Sequence, residues 1–258
     1  MKYVLKNFFT HKDYLINPCN IKGTLFTPLH FIFESILILL IILCAIYTIK
    51  HKEIIKKQFT YIFIFIVIAE IIVDIWDSYA GINKGFNLAF SLPLYPCSLF
   101  IFTLPFIIWG KDDYKYAACG YICTLGLFGA LFNFLYPFTY LQDYSCISFR
   151  AFHTFIYHGL MIYVAIIVLG SKMHSFKNID SIKKVILPFI PALFLSIPSI
   201  IVNVLINSDY MYFMWQNPVI KCFTNMNPCI KTHLLTYLVY FIICTLPYIP
   251  SYIKNKSH

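Results

Sequence analysis

Two short segments hold the side chains best suited to covalent chemistry. Leu92-Pro93-Leu94-Tyr95-Pro96-Cys97-Ser98-Leu99 presents a cysteine directly after two prolines three residues apart. Phe152-His153-Thr154-Phe155-Ile156-Tyr157-His158-Gly159 presents two histidines. A thiol and an imidazole are the minimum for a thiolate–imidazolium nucleophile, in which the thiolate attacks and the ring carries its proton. A carboxylate can then orient the ring, and Glu34, Glu70 and Asp74 are the candidates. Ser91, Ser98 and Thr154 are weaker nucleophile candidates nearby. Each residue also has a plainer use: a buried cysteine packs as a small apolar group, the reading given to Cys44, Cys119, Cys123 and Cys244. No metal is expected. His153 and His158 are spaced i, i+5, which does not share a helix face, and no HExxH or CxxC motif occurs.

The remaining polar groups fall into spaced sets. His30 and Glu34 are i, i+4; Glu70, Asp74 and Asp77 are i, i+4, i+7. Both spacings place side chains on one face of a helix. Arg150, the one arginine, sits just before His153, and Asn133, Asn203, Asn207 and His233 complete the set.

The elements that must position these groups follow from composition. The 258 residues are 60% hydrophobic and only 12% charged, against roughly a quarter charged in a soluble domain. The apolar residues come in blocks long enough to cross a ~30 Å hydrocarbon core. A soluble enzyme, a nucleic-acid-binding domain and a disordered chain are excluded. The expected fold is all-α: a single transmembrane domain of seven helices, over about 26–49, 59–79, 88–109, 114–135, 147–170, 185–206 and 232–253. Barrel strands would alternate polar and apolar residues, and these blocks do not. No cleavable signal is expected, since the first 25 residues are polar and mixed.

The net charge of +9 is carried by short loops, as on the cytoplasmic side of membrane proteins. Twelve lysines fall in one set of loops and seven in the other. That split predicts an N-terminus outside and a C-terminus in the cytoplasm. On this topology every polar group named above lies in the outer half of the membrane, and the inner halves hold no comparable layer. At 1.5 Å per residue, Glu70 and Cys97 lie ~13 Å below the outer boundary, Glu34 ~12 Å, His153 ~9 Å and His158 ~16 Å. Ionisable groups at such depth are functional candidates, although a polar layer also serves as interhelical hydrogen-bond glue. Cys19, Cys146, Cys222 and Cys229 share the outer loops, an even set able to form disulfides in an oxidising compartment. Cys222–Cys229 and Cys19–Cys146 are the pairings favoured.

The segments 92–99 and 152–159 resemble the YwaF family of bacterial integral membrane proteins and the animal transmembrane protein 164 family. Both have a Leu-Pro…Cys signature opening one span and a histidine-bearing span two helices later. The bacterial signature reads like Leu-Pro-Leu-His-Leu-Cys-Asp; here Tyr95, Pro96 and Ser98 stand at the differing positions, and Pro96-Cys97 is similar to the animal version. The animal family is an acyltransferase acting on ether phospholipids. The resemblance implies Cys97 as nucleophile and His158 as base.

Three functions compete. The first is a lipid acyltransferase or related hydrolase, with Asn133 or Arg150 steadying the oxyanion or a phosphate. The second is a transporter or receptor with an outward polar cavity, which would depend on Glu70 and Asp74 rather than on Cys97. The third is a structural membrane protein, which would need neither. The expected partners are membrane lipids; no nucleic acid, protein partner or cofactor is indicated.

Overall fold

The computed structural model describes residues 8–11, 14, 24–82, 84–137, 141, 144–214 and 230–256. Among them every regular element is helical. Helix α1 (Pro28–Lys50) begins where Thr27 accepts the His30 N–H on its hydroxyl at 3.4 Å, with Pro28 in the first turn. Such a cap contributes about 1 kcal/mol. A 3₁₀ turn at Lys52–Ile54 leads into α2 (Ile55–Ala80), which ends at Gly81.

The third expected span is not one helix. It consists of α3 (Leu88–Ser91), an irregular stretch over 92–98, and α4 (Leu99–Trp109). The cause is local: Pro93 and Pro96 lack amide protons and clash with the preceding turn, and residues before prolines disfavour the helical region. The 11 residues of α4 rise ~16 Å, about half a hydrocarbon core.

Helices α5 (Asp112–Tyr121) and α6 (Leu127–Leu135) are joined without a break by a π-helical turn at Ile122–Gly126. Helix α7 spans Phe149–Gly170. Helices α8 (Ile182–Ile186) and α9 (Ile190–Ile206) run on through a 3₁₀ turn at Leu187–Phe189. Asn207 stops α9 in the left-handed region, at φ 51 and ψ 47. Helices α10 (Ile230–Thr245) and α11 (Ile249–Lys256) flank a last 3₁₀ turn at Leu246–Tyr248.

Six described stretches are long and apolar enough to cross a membrane: 28–50, 52–80, 112–135, 149–170, 182–206 and 232–256. The protein is a polytopic helical membrane protein, with six spanning-length helices among the described residues where seven were expected.

The chain divides into two compact units. Unit 1 comprises residues 1–87 and 129–167. Its helix α1 is apolar on its exposed surface and buries His30, Glu34, Ala45 and Thr48. Thr48 hydrogen-bonds Tyr163 (2.8 Å) and Gln58 (3.0 Å). Polar pairing therefore occurs at both ends of α1, between the ionisable His30 and Glu34 at one end and through neutral hydroxyl and amide groups at the other. Unit 2 comprises residues 88–128 and 168–258. One core gathers Leu99, Tyr121, Leu125, Leu195, Met211, Phe213, Tyr240 and Cys244. A second packs Ile179, Val185 and Tyr248. There His174 meets the Tyr248 hydroxyl at 2.6 Å, and the loop at Ile179 is tied to Ser251 and Asn255.

Candidate functional site

In unit 1 the histidine helix α7 faces the acidic helix α2. Glu70, Asp74 and Asp77 form a column on α2, as their spacing predicts. Glu70 Oε1 lies 3.1 Å from His153 Nε2, and Asp77 Oδ2 lies 3.4 Å from Arg150 Nε. Asp77 also lies 4.0 Å from His11. The segment at 8–11 crosses this end of the column: the Trp76 indole donates to Phe9 O at 3.2 Å, and the Phe149 N–H donates to Phe8 O at 2.8 Å. The acids thus face the bases at matched positions along two helices.

His158 is buried, and its Nδ1 lies 2.8 Å from the carbonyl oxygen of Thr154 one turn earlier on α7. A carbonyl can only accept, so Nδ1 carries a proton; a second proton on Nε2 would leave a buried, unsatisfied donor on a cation, so the Nε2 lone pair stays open. Nε2 is buried without a hydrogen-bond partner. The group orienting His158 is therefore a backbone carbonyl rather than one of the three acids. Glu34 lies instead 3.7 Å from His30. Asn133 donates to the Gly129 carbonyl of its own helix at 3.0 Å.

In unit 2, Cys97 closes the irregular stretch over 92–98 and is half-buried. The backbone groups released by the two prolines are taken up by hydroxyls. Tyr210 accepts the Leu92 N–H at 3.0 Å and donates to Leu88 O at 2.5 Å. Ser199 donates to Leu94 O at 3.3 Å, and Tyr121 donates to Pro96 O at 2.5 Å. Tyr95 packs against the rings of Tyr210 and Tyr212. Asn203 in turn holds both Tyr210 backbone groups, at 2.8 and 2.9 Å, and the Ser208 hydroxyl. Met211 and Tyr212 adopt positive φ of 56 and 54, a conformation that costs on the order of 1 kcal/mol each. Met211 O accepts from Tyr240. Cys97 thus sits at the end of a non-helical segment fixed by these side chains, and its carbonyl accepts the Phe100 N–H at 3.0 Å where α4 begins.

Sequence reading did not identify Tyr121, Ser199, Tyr210 or His11. The available signal was the pair of prolines, which oblige some hydroxyl to supply the missing partners. Asn203 holds the backbone of the loop after α9, Asn207 ends that helix in the left-handed region, and His233 stacks on Phe213. Of the four cysteines expected in outer loops, Cys146 is a buried free thiol that burial pushes up from the usual thiol range. Its N–H donates to Thr24 at 2.9 Å. Cys19, Cys222 and Cys229 lie outside the described residues.

No curated protein and no solved structure matches this chain. The model of the TMEM164 family matches residues 25–253, a range that takes in every described helix except the end of α11. The chain belongs to the TMEM164 family.

Proposed function

We propose that this protein is a lipid acyltransferase, or related lipid hydrolase, in which Cys97 is the nucleophile and His158 the base. The observation that carries the reading is the state of His158: a neutral ring locked by Thr154 O, with a buried, unpartnered Nε2 ready to accept a proton. The fixed turn that ends at Cys97 supports it. So does the family resemblance at the same two segments, shared with the bacterial YwaF group.

In this reading the Cys97 sulfur attacks the carbonyl carbon of a phospholipid ester as its proton passes to His158 Nε2. The tetrahedral intermediate collapses, His158 returns the proton to the departing oxygen, and a lysophospholipid leaves. An acyl-thioester remains on Cys97. The hydroxyl of an acceptor lysophospholipid, or water, then attacks that thioester while His158 takes its proton. The thiolate leaves and recovers the proton. The imidazole must come within hydrogen-bond reach of the thiol for this to work.

The membrane arrangement belongs to the same proposal. The broken segment at 88–109 is the seventh crossing of a single transmembrane domain, with the N-terminus outside and the C-terminus cytoplasmic. The lysine asymmetry supports this orientation. The test of function is transfer of a labelled acyl chain from phospholipid to lysophospholipid by purified protein in micelles. Cys97→Ala and His158→Asn should each abolish transfer, whereas Asp74→Asn should not. Transfer that survives Cys97→Ala and fails in Glu70→Gln and Asp74→Asn would favour ion-coupled transport.

A further inference from the structure

Helix α1 buries one ionisable pair that the proposed chemistry does not use. His30 is fully enclosed and Glu34 is 6% exposed, although the rest of this helix turns mainly apolar side chains outward. His30 Nε2 lies 3.7 Å from Glu34 Oε2, one turn away. Neither His30 Nε2 nor Glu34 Oε1 has a hydrogen-bond partner.

The protonation of His30 follows from its other nitrogen. The backbone N–H of Phe26 donates to His30 Nδ1 at 3.3 Å. An amide can only donate, so Nδ1 holds a lone pair and the ring proton is on Nε2. A doubly protonated ring would set two donors against each other at Nδ1. His30 is therefore a neutral imidazole and supplies no positive charge to Glu34. The elements packed around the pair bring aromatic rings: Phe26, Phe31 and Phe155 against His30, and Phe33 against Phe155. The other titratable groups on those elements are Tyr136, beside Phe26, Cys146, whose Sγ is 4.0 Å from Leu29 O, and Arg150, His153, Tyr157 and His158 on α7. Arg150 is paired with Asp77 and His153 with Glu70, and among the described residues His30 is the one basic group within 4.0 Å of Glu34. An ionised carboxylate enclosed without a counter-charge is among the costliest arrangements in a protein, and such a group takes up a proton instead.

The geometry points to the His30–Glu34 pair as a proton-binding site in the membrane, holding one hydrogen ion on the Glu34 carboxyl beside a neutral His30. The ligand is the proton itself. Binding it lets α1 dock its polar face inside unit 1. Releasing it would leave a bare charge 3.7 Å from His30, whose ring packs against Phe155, three residues before His158 on α7. This site is independent of the acyl-transfer reading and stands or falls without an activity assay.

The test is infrared spectroscopy of the purified full chain at neutral pH, comparing parent and Glu34→Gln. The expected result is loss of one protonated-carboxyl C=O stretch that shifts in heavy water. A Glu34→Asp variant should move that band rather than remove it, which keeps the assignment secure if the amide variant folds poorly. Melting supplies a second readout. The folded chain would hold a proton that the unfolded chain releases, so parent stability should fall relative to Glu34→Gln as pH rises from the ordinary glutamate range of about 4.3 upward. Loss of a carboxylate band in Glu34→Gln, with parallel melting curves, would overturn the proposal.

Discussion

Protonating His174 should loosen unit 2 by a calculable amount. The residue lies in the loop between α7 and α8, buried against Tyr248 at 2.6 Å and with its ring centre 4.8 Å from that of Tyr116. Gly120 lets this packing close: a Cβ there would sit 2.8 Å from the Tyr248 hydroxyl and 2.6 Å from Pro188 Cγ. Burial pushes the imidazole down from 6.5 to about 4. The folded state thus holds fewer protons than the unfolded chain between those values. Its contribution is complete above pH ~6.5 and is lost as pH falls through about 4. The full difference is about 3 kcal/mol, at about 1.4 kcal/mol per unit. For a chain of this size that corresponds to a fall of roughly 6–12 °C in melting temperature. Other groups titrate in the same range, so the informative quantity is the difference between parent and His174→Gln. Glutamine keeps a polar contact for Tyr248 but cannot titrate. Thermal melts of detergent-purified protein from pH 7 to pH 4 should show the two curves converging as the parent loses its advantage. Curves that stay parallel would refute the buried, neutral imidazole.

Two further outcomes are expected. Tyr121→Phe removes the hydroxyl that holds Pro96 O; it should cost about 1–2 kcal/mol in thermal stability and lower acyl transfer by roughly 10²-fold through a displaced Cys97, with unchanged transfer counting against the positioning role. Single cysteines placed at Lys84 and Lys177 should differ in labelling of intact cells by an impermeant maleimide, with position 84 reactive and position 177 protected; the reverse pattern would invert the topology.

The helical membrane fold was legible because some twenty apolar residues in a row leave little alternative. The two prolines of the third expected span signal a weakened helix, but not that seven residues would leave the helix altogether. Leu92–Trp109 carries no charged residue, yet Pro93 and Pro96 prevent one continuous helix. The column of Glu70, Asp74 and Asp77 was legible from helical spacing alone. Its pairing was not, because whether Glu70 meets His153 or His158 depends on how α2 and α7 are rotated, and His153 takes it. The histidine tautomers were equally hidden. They depend on single backbone atoms, Thr154 O for His158 and the Phe26 N–H for His30. The hydroxyls that secure 92–98 come from residues 25 to 118 positions away in sequence. Nothing in that segment itself names them.

The central claim is that a covalent acyl group passes through Cys97. Purified protein given a phospholipid with isotopically labelled acyl chains, and no acceptor, should hold one labelled chain after an acid quench. Peptide mass spectrometry should place it on Cys97, hydroxylamine at neutral pH should release it, and Cys97→Ala should carry none. Acyl transfer that persists in Cys97→Ala, or a hydroxylamine-resistant adduct on Ser91, Ser98 or Thr154, would contradict the account.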